Sequence, residues 1–188
     1  MFPIINLNYL KQYWHLFEEA RFPFYAALLY TDADENIAKY VRKYWYDLDE
    51  LSERSCLVFA IEKPPHRANI PNWYEGTAFD RSEAYRLADW FSISPVQLPC
   101  IALFKNIDTR EIVTVSLPPR GIAEELTRRF RDVFHLTKKH CRESNGLARI
   151  REELAMKKLK DVAVSIVLQR KIRDILQSLL DRYVILPS

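Results

Sequence analysis

The residues of this chain whose types could support chemistry are three cysteines and four histidines, and their spacing limits what they could do. Cys56, Cys100 and Cys141 form no CxxC pair, so dithiol exchange, which needs an attacking and a resolving sulfur, is not expected. The histidines form no HExxH motif and no cysteine pair has zinc spacing, so neither a metal nor a cofactor is predicted. Cys100 remains as the one candidate catalytic residue, acting as a single thiol. The sequence leaves enzyme activity open but favours a protein that is not an enzyme.

The composition excludes several further classes of protein. With three glycines, the chain cannot build a glycine-rich phosphate loop or a dinucleotide fingerprint. No segment reaches the roughly 20 apolar residues of a membrane span, and the N-terminal residues lack the pattern of a signal peptide. An odd number of distant cysteines is typical of reduced thiols. We therefore predict a cytoplasmic globular protein with no membrane partner.

Positive charge is concentrated towards the C-terminus. Residues 120–160 contain twelve Lys or Arg and six Asp or Glu, a charge of +6, which leaves −3 for the remainder of a chain whose net charge is +3. Four of these basic residues follow helical steps and are predicted to share one face: Arg128, Arg131, Lys138 and Arg142. Such a face could bind nucleic-acid phosphates or an acidic protein. A solvated helix surface is the alternative interpretation, since no nucleic-acid-binding motif accompanies these residues.

The elements that must position these residues alternate between strands and helices. Nearly continuous apolar runs predict buried strands, and a polar-apolar alternation predicts an antiparallel return strand, over residues 24–30, 56–61, 101–105 and 111–116. Amphipathic segments with capping residues predict helices over about residues 8–20, 31–48, 81–91 and 121–142. The order is therefore strand-helix-strand, helix, two strands and helix, preceded by one extra helix.

Residues 91–106 end a predicted helix, cross a loop, meet Leu98-Pro99 and enter an apolar strand. This stretch and the order of elements resemble the thioredoxin superfamily over about residues 22–141. The resemblance implies an α/β fold of three layers, α/β/α, with a four-stranded mixed sheet, an N-terminal helix and a structural cis-proline at Pro99.

The resemblance also locates the position at which thioredoxins carry their CxxC motif, at the start of the helix after the first core strand. That position corresponds to residues 31–36, which contain no cysteine. Asp32, Asp34 and Glu35 are expected to cap the helix there instead. The resemblance therefore implies a scaffold without the family's redox chemistry.

The Asn145-Gly146 pair predicts a helix stop. It divides the chain into a thioredoxin-like domain, 1–145, and a long C-terminal helical extension, 146–188. A helix over about residues 147–183 would be about 54 Å long, more than one small domain can cover. The apolar spacing changes register along this helix, so a perfect heptad coiled coil is not supported. Either the helix bends and packs partly on the domain, or its far half binds a partner or a second copy through its apolar positions, which are Ile172, Ile175, Leu176 and Leu179.

Trp73 and Tyr74 lie in a predicted long loop over residues 66–79, where they are expected to contact a partner or to fold back onto the domain. The favoured function is a non-catalytic thioredoxin-like interaction or assembly module that uses the C-terminal helix for oligomerisation or partner binding. Two alternatives stay open. One is a single-thiol thioredoxin-like enzyme that uses Cys100, and the other is binding of nucleic acid or an acidic partner through the basic C-terminal helices.

Overall fold

The computed structural model describes residues 1–65, 78–108 and 111–157 and has an α/β fold. The chain divides into two compact units, Met1–Ile150 and Arg151–Ser188. In the second unit, residues 151–157 are helical. The first unit contains the sheet and the sites described below.

A mixed open sheet of five strands lies at the centre of the first unit, in the order β1-β3-β2-β4-β5. Strand β3 pairs in parallel with both β1 and β2, whereas β4 runs antiparallel to both β2 and β5. All residues of β2 and β4 are buried, as expected for strands covered on both faces. The strand bounds are β1 Phe2–Pro3, β2 Phe24–Leu29, β3 Cys56–Ala60, β4 Cys100–Phe104 and β5 Val113–Ser116.

The five strands correct the sequence-based expectation of four. The additional strand is β1, in which Phe2 pairs with Phe59 and Pro3 with Ala60. Two residues that include a proline carry no periodicity, so the sequence pattern could not indicate this strand. The Ile4 N–H donates to the Ala60 carbonyl at 2.9 Å. Because alternate residues of a strand direct their backbone groups to the same side, the Pro3 nitrogen faces the open edge of the sheet.

Helices cover both faces of the sheet. Helices α1, α2 and α5 pack on one face around a core that includes Trp14, Phe59 and Phe104. Helices α3, α4 and α6 pack together, and α4 and α6 also pack against β3. The Tyr40 ring of α3 stacks on Phe130 of α6 with centroids 5.7 Å apart. The helix bounds are α1 Leu7–Gln12, α2 Trp14–Glu19, α3 Glu35–Lys43, α4 Trp45–Ser52, α5 Glu83–Trp90 and α6 Ala123–His140.

Two of the predicted helices are each divided by a tyrosine. Tyr13 separates α1 from α2 and Tyr44 separates α3 from α4, with φ, ψ angles of −101°, 7° and −107°, 24°. The buried stripe continues through each break, since Trp45 and Leu48 of α4 are as buried as the apolar residues of α3. Hydrophobic spacing therefore predicts one helix where the backbone forms two.

The first unit ends at residue 150, whereas the sequence places the boundary after residue 145. Residues 146–150 are helical, and Leu147 and Ile150 are 1% and 0% exposed. These two side chains are part of the core of the first unit, which explains the later boundary.

Candidate functional site

Polar side chains of the first unit converge where the parallel strands β2 and β3 end. Leu28 pairs with Ala60 in the β2–β3 register, so Tyr30 and Glu62, two residues further along each chain, lie side by side on one face. Ligand sites of open α/β sheets lie at the carboxyl ends of parallel strands. This edge of the sheet is therefore the first candidate for a functional site.

Five charged side chains at this edge form one ion-pair cluster: Asp32, Glu35, Arg42, Glu62 and Arg81. Arg81 lies 3.1 Å from Glu62 and 3.0 Å from Glu35, measured between guanidinium nitrogen and carboxylate oxygen. Arg42 bridges the same two carboxylates at 2.7 Å from Glu35 and 3.2 Å from Glu62. The Glu62 side chain is only 6% exposed, so the inner end of the cluster is shielded from water.

The contacts of the cluster favour the charged forms of Glu35 and Arg81. Hydrogen bonds from Arg42 and then Arg81 lower the pKa of Glu35. Burial acts to lower the pKa of Arg81, but the Glu62 charge and a hydrogen bond to Glu35 outweigh it, so this pKa is raised. The charges of the cluster are thus paired with one another within the domain.

Tyr30 lies beside the cluster and is 1% exposed. Its hydroxyl lies close to the Glu62 carboxylate, and a hydrogen bond with Glu62 is among the contacts that affect the pKa of the phenol. Burial, and next the charge of Glu62, raise the pKa of Tyr30 well above its ordinary value. The side chain therefore stays a neutral phenol at physiological pH and is unsuited to act as a base.

The loop between β2 and α3 holds a buried capping motif. The Asp34 carboxylate accepts hydrogen bonds from the Thr31 backbone N–H at 2.9 Å and from the Thr31 hydroxyl at 3.0 Å. Of the three acids expected to cap this helix, Asp34 caps the short 3-10 helix Asp32–Asp34 that precedes α3, whereas Asp32 and Glu35 pair with arginine. All three acids therefore make contacts within the domain.

Pro99 lies next to this loop. Leu29 pairs with Cys100 across β2 and β4, which puts Pro99 opposite Tyr30. The Leu98–Pro99 peptide bond is cis. The proline and the capping motif therefore stand at neighbouring positions on the same edge of the sheet.

Cys100 is expected to be unreactive in the folded chain. Its side chain is fully buried, and burial raises the pKa of the thiol to about 12 from an ordinary value of 9.0. The reactive thiolate is therefore scarce at neutral pH. We expect alkylation of Cys100 by iodoacetamide to be at least about a hundredfold slower in the folded chain than in the unfolded chain. Timed mass spectrometry of the peptides measures this rate.

Cys141 provides the internal control for that measurement, because its side chain is partly exposed. We expect it to be modified well before Cys100. A Cys100 that reacts in the folded chain as fast as in the unfolded one would contradict the prediction and favour the single-thiol enzyme.

The four residues of the predicted basic face do not form a continuous positive surface. The Lys138 ammonium pairs with the Glu53 carboxylate at 2.6 Å, and Arg142 lies beyond the end of α6. Arg128 and Arg131 line a cleft of about 660 Å³, which has three acidic residues in its wall: Glu124, Glu125 and Asp132. Acidic side chains therefore interrupt the face.

A second cleft, of about 340 Å³, lies between α3 and the start of α6, and we call it the α3–α6 cleft. Tyr40, which is buried in its wall, shares a hydrogen bond of 2.8 Å with the Thr127 hydroxyl. Ile122 is 63% exposed and borders both this cleft and the larger one. The α3–α6 cleft is lined by Asn36, Lys39, Tyr40, Lys43, Tyr44, Gly121, Ile122, Ala123 and Leu126.

The ion-pair cluster and the α3–α6 cleft were not predicted from the sequence. For the cleft, a signal was present, because its α3 residues are spaced so as to fall on one face of a helix. The predicted partner-binding residues lie outside the described residues: Trp73, Tyr74, Ile172, Ile175, Leu176 and Leu179.

Within the described ranges, no group of three or more His, Cys, Asp or Glu side chains is placed to bind a metal ion. The helices in the same ranges lack the length and apolar character needed to cross a membrane. Comparison of the chain with protein-family models, curated proteins and solved structures found no match.

Proposed function

We propose that this chain is a thioredoxin-like module that acts by binding another protein, without catalysing a redox reaction. The observation that carries the proposal is the occupied edge of the sheet beside Pro99. In this proposal, the Thr31–Asp34 cap and the ion-pair cluster take the place of the reactive dithiol of thioredoxins. Cys100, the nearest thiol in sequence to this edge, is buried in the core.

Three features support the thioredoxin-like part of the proposal. The strand order is β1-β3-β2-β4-β5, with a parallel β1-β3-β2 half and an antiparallel β4-β5 half. Helix α3 follows β2, and a cis-proline directly precedes β4. The four strands that the resemblance implies correspond to β3, β2, β4 and β5, with β1 added at the edge.

Exposed apolar side chains support binding as the mode of action. Val96, in the loop that leads to Pro99, is 89% exposed, and Ile122 is 63% exposed. An isolated exposed side chain such as Val96 is ordinary. Ile122 is more informative, because it adjoins two clefts that could receive parts of a partner.

Self-association is the part of this proposal that concerns the C-terminal segment, and it rests on the apolar spacing of Ile172, Ile175, Leu176 and Leu179. We expect the Ile175→Glu/Leu179→Glu variant to have a lower mass in solution than the wild-type chain, because charged side chains would replace two of the apolar side chains through which association is proposed. Light scattering coupled to size-exclusion chromatography measures the mass.

The matched control is Gln177→Glu/Ser178→Glu, which adds two negative charges at polar positions of the same segment. This control should keep the wild-type mass. A wild-type chain that is already monomeric, or equal masses for all three proteins, would reject self-association through these residues.

A further inference from the structure

Ile122 departs from the usual residue preference at the start of a helix. It occupies the N-cap of α6 in the extended conformation, with φ −71° and ψ 159°, and makes no side-chain capping hydrogen bond. Ser, Thr, Asp and Asn are favoured at this position because their side-chain oxygen accepts a hydrogen bond from the first turn. Ile122 is also a large aliphatic side chain with 63% of its surface exposed. A departure from the N-cap preference is expected where a residue serves function rather than folding.

The α3–α6 cleft beside Ile122 has rigid apolar walls. Leu126 is buried, and the Tyr40 and Tyr44 rings lie 4.6 Å apart between centroids. Tyr40 is held from two sides, by its hydrogen bond to Thr127 and by stacking on Phe130. At about 340 Å³ the cleft falls at the lower end of the volumes of binding pockets, which are about 300–1,000 Å³.

The rim of the cleft is positive. Lys39 and Lys43 are exposed and lie one turn apart on α3, and no ion pair of Lys39 occurs within the described ranges. Residues 121–123 close the other side, where the positive end of the α6 dipole lies. Glu124 and Glu125, in the first turn of α6, line the larger neighbouring cleft. The lining of the α3–α6 cleft itself contains two lysines and no acidic residue.

We propose that the α3–α6 cleft docks an acidic peptide segment of a partner protein. One aromatic or aliphatic side chain of the segment packs against Tyr40, Tyr44 and Ile122, while its carboxylates face Lys39 and Lys43. The proposal rests on the proposed binding function and specifies the class of partner. We infer an acidic occupant because its negative charge is complementary to the positive rim of the cleft.

The same argument disfavours the C-terminal segment of this chain as the occupant. Residues 158–188 contain six Lys or Arg and three Asp or Glu. A segment with a net positive charge would be repelled by the lysines at the rim. A separate acidic partner can pair with the lysines at the rim and pack an apolar side chain against the walls of the cleft.

The test is a binding titration on the full chain, followed by fluorescence anisotropy. The probe is a labelled peptide rich in Asp and Glu with one central tryptophan. We expect Lys39→Glu/Lys43→Glu to weaken binding about tenfold or more, because two attractive rim charges become repulsive. The matched control Arg54→Glu/Lys63→Glu makes the same change in net charge at exposed residues that do not line the cleft, and should stay within about twofold of wild type.

The Ile122→Ser variant distinguishes an effect on docking from an effect on folding. The serine can cap α6, so we expect the variant to unfold at a higher urea concentration than wild type. It should nevertheless bind the peptide about fivefold or more weakly, because the apolar contact is lost. A peptide with serine in place of its tryptophan should show a similar loss against the wild-type chain.

Three results would overturn the proposal: no binding of the peptide by wild type, equal weakening in the Lys39/Lys43 and Arg54/Lys63 variants, or equal affinity for an uncharged version of the peptide. The mass measurements on Ile175 and Leu179 variants are made without peptide. A monomeric chain that binds the peptide would reject self-association and support docking in the cleft. An oligomeric chain that does not bind the peptide would support self-association and reject docking in the cleft.

Discussion

We expect the free energy of unfolding of the Arg81→Met variant to be about 3 kcal/mol lower than that of the wild-type chain, because the substitution removes the ion pairing at the buried end of the cluster. Arg81 donates two hydrogen bonds to one Glu62 oxygen, at 3.2 Å from Nε and 3.1 Å from Nη2. With the Glu62 side chain only 6% exposed, water cannot replace these bonds. Arg42 stays 3.2 Å from Glu62, which limits the loss. Urea denaturation followed by circular dichroism measures the free energy.

Two further variants show whether burial causes this effect. Arg86→Met removes a pair in which the arginine is 57% exposed, and Glu83 keeps the hydrogen bond that it accepts from the Leu7 N–H, so the change should cost less than about 1 kcal/mol. Arg81→Met/Glu62→Leu removes both partners of the buried pair and should recover much of the stability, since no unpaired carboxylate is left inside. If Arg81→Met costs no more than Arg86→Met, the cluster does not hold this edge together.

Acid titration gives a second measurement on the same variant. Hydrogen bonds from Arg42 and Arg81 place the folded-state pKa of Glu35 below its ordinary value of 4.5. Such a carboxylate contributes stability that is fully present above the unfolded-state pKa and is lost as the pH falls through the folded-state pKa. Below about pH 4.5 the wild-type chain should therefore lose stability more steeply than Arg81→Met, whose Glu35 keeps fewer hydrogen bonds.

The Leu147→Ala/Ile150→Ala variant is expected to lose about 4 kcal/mol or more of unfolding free energy. The two side chains are 1% and 0% exposed, and truncation of a buried Leu or Ile to Ala costs about 2–5 kcal/mol. Ser144→Ala changes an exposed residue just before them and should stay within about 0.5 kcal/mol of wild type. If the double variant loses no more unfolding free energy than this control, the domain boundary lies at residue 145 and not at residue 150. Urea denaturation of the full chain measures all three proteins.

Gly146 shows why this part of the chain belongs to the core. A Cβ atom at this position would lie 2.6 Å from the His140 carbonyl oxygen and 2.7 Å from Cζ of Phe24, a residue of β2. The backbone therefore passes too close to the sheet for any side chain. The sequence indicated a helix stop at Asn145-Gly146, and the glycine serves instead for this close approach.

The buried elements were predictable because their patterns are local. The apolar runs of β2, β3 and β4 predicted strands, and the helical spacing of Ile37, Val41, Trp45 and Leu48 predicted one buried stripe, whose members are all at most 2% exposed. These patterns depend on residues within a few positions of one another. Burial on one or both faces can therefore be inferred without the tertiary structure.

The polar sites were not predictable because they depend on distant residues. Arg81 is 19 residues from Glu62 and 46 from Glu35, and neither separation carries a periodic signal. The α3 wall of the α3–α6 cleft is visible as helical spacing, but its pairing with residues 121–126 follows from the tertiary packing of α3 on α6. A local pattern can indicate the residues that one element contributes to such a site, but it cannot identify the residues that a distant element contributes.

Pro3 has a consequence for how copies of this chain can meet. Its nitrogen faces the outer side of β1, where any other residue would offer an N–H to an incoming strand. A strand approaching this edge would find no donor at that position and only two residues to pair with. Growth of the sheet from one molecule into the next is therefore blocked at this edge, and association there would have to use side chains instead of the backbone.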